Sequence, residues 1–182
     1  MPGGAFTAVF GKQEGLQAAL SGDGVSTLTI TGEGQFRARL TPVILPQIVL
    51  LAAEEELPRS AFVVVPGDTI MAALPIDHGP WPIWAGIEMD ASQILTLAPG
   101  ERLYMRTHGF CRWGTIRLAA NPLSIYYHAI TGEHLTLPPL ARWRPPRAAL
   151  RRLLHLHRAA VHAAEACSRA LVDVAAAHGL EQ

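Results

Sequence analysis

The feature that most constrains this chain is a change of hydrophobic period part-way along it. From Val25 to Leu118, apolar and polar residues alternate in short runs; from Asn121 onward, apolar residues recur at helical spacing. A period of two puts alternate side chains on one face of a strand, whereas a period of 3.6 builds one face of a helix. Val25 to Thr31 alternates and is rich in β-branched residues. After the Gly32-Glu33-Gly34 turn, Gln35 to Leu40 sets Phe36, Ala38 and Leu40 against Arg37 and Arg39. Further strand-like runs cover Ile44 to Ala52, Ser60 to Val65, Thr69 to Leu74, Ile83 to Met89, Gln93 to Leu97, Glu101 to Thr107 and Cys111 to Leu118. Gly- and Pro-rich turns separate them, as at Pro66-Gly67-Asp68, Asp77 to Pro80, Pro99-Gly100 and His108-Gly109. Many short strands with such punctuation give a sandwich or a barrel.

The helical part starts at Asn121-Pro122, an N-cap followed by a first-turn proline, and predicts a short helix over 122–130 that ends near Gly132. Leu135 to Pro146 reads as a proline-punctuated linker. A helix is predicted over 147–166 and a second over 169–178, capped by Ser168 and stopped by Gly179. Gln13 to Leu20 adds a helical turn or two. The expected organisation is mainly β with C-terminal helices: an antiparallel β-barrel over 1–120 and a helical extension over 121–182.

Length and composition narrow the class. The 182 residues suit one domain, and 49% apolar against 16% charged residues supplies a real core, which excludes a disordered chain. Basic and acidic residues balance at fifteen each. The balance is uneven along the chain: residues 142–169 hold seven arginines and one acid, Glu165, for a net +6, which leaves −6 for the rest. Two isolated cysteines, Cys111 and Cys167, suit a reducing cytosol. The N-terminus has no secretory pattern, and the longest apolar stretch, Val43 to Ala53, is broken by Pro46 and Gln47. A cytoplasmic protein with no membrane segment is expected.

Signatures of catalysis are missing. The one His-x-His, His155 to His157, falls in the predicted helix, where residues two apart point about 200° apart and cannot close on one ion. His78 and His108 sit in turns, no cysteine pair exists for zinc, and no nucleophile elbow or phosphate-cradling loop occurs. Cys111 reads as a buried, inert thiol, and Glu54-Glu55-Glu56 as a solvated edge or turn. No catalytic residue, metal or cofactor is therefore assigned. Trp84 and Trp113 fall in strands and fill a core, or line the pocket that an eight-stranded barrel can enclose around a small ligand. By residue type and strand placement, Trp84, Tyr104 and Trp113 are the candidate pocket, with Glu88 and Arg106 as polar anchors. On the predicted helix, Leu150, Leu153, Leu154, His157 and Val161 form one face, an interface with a second subunit or a packing surface on the barrel. The neighbouring arginines are of the kind that meet phosphates. No short-turn two-helix unit with a polar recognition face follows them, so a solubilised helix is the favoured reading.

The order of segments adds a resemblance. "GQFRARLTPVILPQIVLLAAEEELPRSAFVVVP", "PIWAGIEM", "ILTLAPGERLYMRTHGFCRWGTIRL" and "LARWRPPRAALRRLLHLHRAAVHAAE" together resemble the N-terminal sensor half of AraC-type transcription regulators. The most specific stretch is Gly109 to Leu118, followed by "RPPRAALRRLLHLH". The resemblance implies a cupin-like barrel with a helical extension, used for effector sensing and dimerisation. It implies a homodimer, a small-molecule effector, and DNA contact only through a helix-turn-helix domain absent from this chain. The alternatives are a metal-dependent cupin enzyme acting on a small molecule and a basic nucleic-acid-binding module.

Overall fold

The computed structural model describes residues 4–22, 24–77 and 79–179, by backbone alone from residue 169 on. His78, read above as a turn residue, lies outside the described residues. Two antiparallel sheets face each other. The larger is built from β1 (Gly4–Ala5), β2 (Ala8–Phe10), β4 (Ala38–Ile44), β5 (Ile48–Glu55), β7 (Thr69–Leu74), β10 (Ile94–Leu97), β12 (Cys111–Ala119) and β13 (Leu140–Trp143). Its order is β1-β4-β5-β12-β7-β10-β13, with β2 also on β4. The smaller runs β3 (Val25–Ile30), β6 (Arg59–Val64), β11 (Arg102–Arg106), β8 (Ile83–Trp84) and β9 (Ile87–Glu88) in that order. Among the described residues there are three helices, α1 (Gln13–Ser21), α2 (Ala120–Thr131) and α3 (Arg147–Gly179). Among the described residues no strand pairing joins the two sheets, so the β-rich part stands as facing sheets rather than one closed barrel.

The core lies between the sheets. Leu28, Ala61, Val63, Leu103 and Met105 of the smaller sheet meet Leu40, Leu51, Ala53, Met71, Leu95 and Trp113 of the larger, and Leu16 and Leu20 of α1 plug one side. The period-two pattern is what sends these residues inward, as in β11, where Leu103 and Met105 are buried between exposed Arg102, Tyr104 and Arg106.

Several boundaries differ from expectation for local reasons. The two runs expected at Gln35–Leu40 and Ile44–Ala52 become β4 and β5, because Leu45 N–H donates to Ile48 O at 2.8 Å and closes a hairpin over Pro46-Gln47. Ile83–Met89 splits into a hairpin at Ala85-Gly86, both with positive φ (49° and 79°), the geometry of a two-residue primed turn. Part of the expected linker is β13, paired to β10 at the sheet edge. The two C-terminal helices expected at 147–166 and 169–178 are one continuous helix, α3. Ser168 does not cap a second helix; its Oγ instead accepts the Thr7 N–H at 2.9 Å. Pro42 explains why Thr7 is available. Phe6 N–H reaches Pro42 O at 3.4 Å, Pro42 has no N–H to return the bond, and the edge strand breaks between β1 and β2.

Candidate functional site

The most unusual chemistry lies inside the core. In β5 the alternation that buries Leu51 and Ala53 carries on to Glu55, and in β6 Arg59 shares the inward face with Ala61 and Val63. The loop Glu56-Leu57-Pro58 brings the two charges together, and both are 0% exposed. Arg59 Nε and Nη2 donate to the two Glu55 oxygens, the second at 2.8 Å, and Trp113 Nε1 donates to Glu55 Oε1 at 2.6 Å. The guanidinium lies 5.6 Å from the Trp113 ring centre, and Nη2 also points at Met105 Sδ, 3.6 Å away. Trp84 meets Trp113 edge to face at 6.3 Å. Thr107 Oγ1 accepts the Arg59 N–H at 3.0 Å. Arg59 Nη1 is buried without a partner among the described residues. Glu55 is thus the opposite of the solvated edge expected from the Glu54-Glu55-Glu56 run. Its signal was parity: counting by two from Leu51 reaches it.

The two charges are matched to each other inside the core. Every Glu55 oxygen is engaged, and the carboxylate is matched by a bidentate arginine. Burial, with the nearby Glu55 charge, pushes the Cys111 thiol up to about 12 against the opposing pull of Arg59, so no thiolate forms at neutral pH. Among the described residues no three His, Cys, Asp or Glu side chains converge on a point where a cation would sit.

The five candidate pocket residues do not line one cavity. Trp84 and Trp113 are buried in contact, whereas Tyr104, Arg106 and Glu88 face the outside of the smaller sheet. Tyr104 is 66% exposed and packs on Phe62, 5.1 Å between ring centres. The reason is the strand period, which puts Tyr104 and Arg106 opposite Met105. The space left between Trp84, Trp113, Met105, Leu20 and Met71 is about 10 Å³, room for one water.

The second feature is the seat of α3 on the outer face of the larger sheet. Leu150, His157 and Ala164 are buried there, and Leu153, Leu154 and Val161 half-buried. This face therefore packs on its own sheet. His157 reaches the main chain because Gly114 and Ala52, paired across β12 and β5, leave a notch. A Cβ on Gly114 would lie 2.6 Å from Ile76 Cγ2 and 3.1 Å from His157 Cε1. His157 Nε2 donates to Leu51 O at 3.2 Å, which fixes the tautomer, since a carbonyl can only accept. Burial holds the imidazole below its ordinary range, with the Arg158 charge adding, against the bonds to the Leu51 and Thr115 main chain. Arg158 donates twice to Ile76 O, at 2.9 and 2.7 Å. Beside this seat Glu54 takes Arg112 Nε at 2.5 Å and Arg39 Nη2 at 3.1 Å, and Arg112 also holds Asp77 at 3.0 Å. Burial pushes the Glu54 carboxyl up, but the arginines outweigh it and keep it below the usual range. A cleft of about 250 Å³ opens between these charges, Ile76 and Val161.

No family model matches the sequence, and no curated protein matches it.

Proposed function

We propose that this chain is the effector-sensing and dimerisation domain of an AraC-type transcription regulator, its facing sheets forming a flattened cupin-like barrel. The domain is non-enzymatic and cytoplasmic, acts as a homodimer, and reaches the promoter through a helix-turn-helix reader. The observation that carries this reading is the layout itself, a mainly β core with α3 seated over the outer face of its larger sheet through a few polar contacts. In this reading the seated helix is one of two arrangements, and a ligand that prefers one shifts the population toward it. Of the two roles, the geometry favours pairing, because the interior is filled by side chains. An effector is better accommodated in the cleft under α3, where Arg39, Glu54, Arg112 and Glu165 present both charge signs over an apolar floor.

The test is to fuse the chain to a DNA-reading domain that represses a reporter only as a dimer. The proposal expects repression, relieved by Tyr126→Asp/Ile130→Asp on the exposed face of α2. A fusion that is expressed and folded but does not repress contradicts it. Stoichiometric metal in the purified protein, with turnover of a small molecule, would establish the cupin-enzyme alternative instead.

A further inference from the structure

We propose that the exposed basic stripe of α3 contacts the phosphate backbone of duplex nucleic acid, in addition to any contact made through a separate reader. Arg147, Arg151, His155, Arg158 and His162 fall within about 80° of arc on an ideal helix. All of them are exposed, Arg158 while its Nε and Nη2 hold Ile76 O. Arg142 in β13 and Arg144 just after it, before the helix, extend the same positive surface. Among the described residues no ion pair joins Arg147 or Arg151 to an acid, and Asp90 touches Arg144 at 3.5 Å.

The placement runs against helix stability. The first turn of α3 contains no acid, Arg147 stands at the positive end of the helix dipole, and Arg147 and Arg151 repel at i, i+4. A sequence selected only to hold this helix would reverse these signs, and departures of this kind concentrate where a surface has a task. A fixed row of planar, multi-donor guanidiniums matches phosphate oxygens. A bilayer surface fits less well. An interfacial helix inserts an apolar face beside its cations, and the apolar face of α3 is already buried on the sheet. A second copy of the same stripe would be repelled.

The contact is independent of the pairing reading and fails separately from it. Its test is fluorescence anisotropy of the full chain with a labelled random-sequence DNA duplex. With three or four phosphates engaged, affinity falls about 40- to 150-fold between 50 and 200 mM salt. Arg147→Glu/Arg151→Glu weakens binding at 50 mM salt by about tenfold or more, yet raises the melting temperature, because it corrects the dipole. Arg102→Glu/Arg106→Glu, an equal charge reversal on exposed β11, changes binding less than the α3 reversal does. Absence of duplex binding at 50 mM salt overturns the proposal, as does equal loss in both double variants. Binding to phosphatidylserine vesicles without binding to duplex overturns it in favour of a membrane surface.

Discussion

Glu55 and Arg59 lie four residues apart, on either side of the loop that crosses from one sheet to the other, and both lose all contact with water. Removing two charges from water costs several kcal/mol each, and only close, well-directed pairing offsets it. Their role is thus to fix how the chain crosses from β5 of the larger sheet to β6 of the smaller. Glu55→Gln strands the Arg59 charge and should cost about 3–5 kcal/mol in urea unfolding, whereas Glu55→Leu/Arg59→Met should recover most of that or exceed wild type. If the single variant is neutral, the pair does not have this role. Ala85 is a second local test. Its φ of 49° is a left-handed conformation that an alanine adopts at a cost of about 1 kcal/mol, and Asn is preferred there in primed turns. Ala85→Asn should raise the melting temperature by about 2–4 °C in scanning calorimetry; a lowered value contradicts the turn assignment.

At the level of elements, the contact between α3 and the sheet depends on Gly114. Gly114→Val should displace His157 and Ile76 and destabilise by about 1–3 kcal/mol, with α3 amides losing hydrogen-exchange protection before those of β5. The buried imidazole also makes this contact pH-sensitive. Because its folded pKa lies below the ordinary value of about 6.5, the unfolded state takes up the proton first. The contribution is therefore complete above that value and is lost as pH falls toward the folded pKa. Stability measured from pH 7 to pH 5 should decline, and His157→Gln should flatten the decline; an unchanged slope contradicts the assignment.

The elements also show how far the sequence could be read. The mainly β character and the C-terminal helix follow from periodicity, and the inward residues of β11 and β12 follow from parity. Glu55 was missed because three consecutive acids look solvated, although Leu51 and Ala53 set its parity. β13 was missed because four residues between prolines are too few to show alternation. Ser168 resembles a cap in sequence and suggests two helices where α3 is one; its hydroxyl serves Thr7, a contact that depends on Pro42 far away in sequence. Residue type groups Tyr104 and Arg106 with the tryptophans, and strand parity separates them.

For the whole molecule, charge and surface are divided unequally. The segment 142–169 is net +6 and the rest −6, and no helix among the described residues is long and apolar enough to cross a membrane. α2 has no buried side chain, and Ile125, Tyr126 and Ile130 are each about two-thirds exposed. Exposed apolar residues of this kind are typical of surfaces that pair. The central claim, that this domain serves to bring two copies together, is tested most directly by sedimentation equilibrium of the purified chain. The account predicts a species of twice 19.6 kDa at about 10 µM, a concentration that reports a dissociation constant in the micromolar range or below. A folded species that stays at 19.6 kDa under those conditions would contradict it.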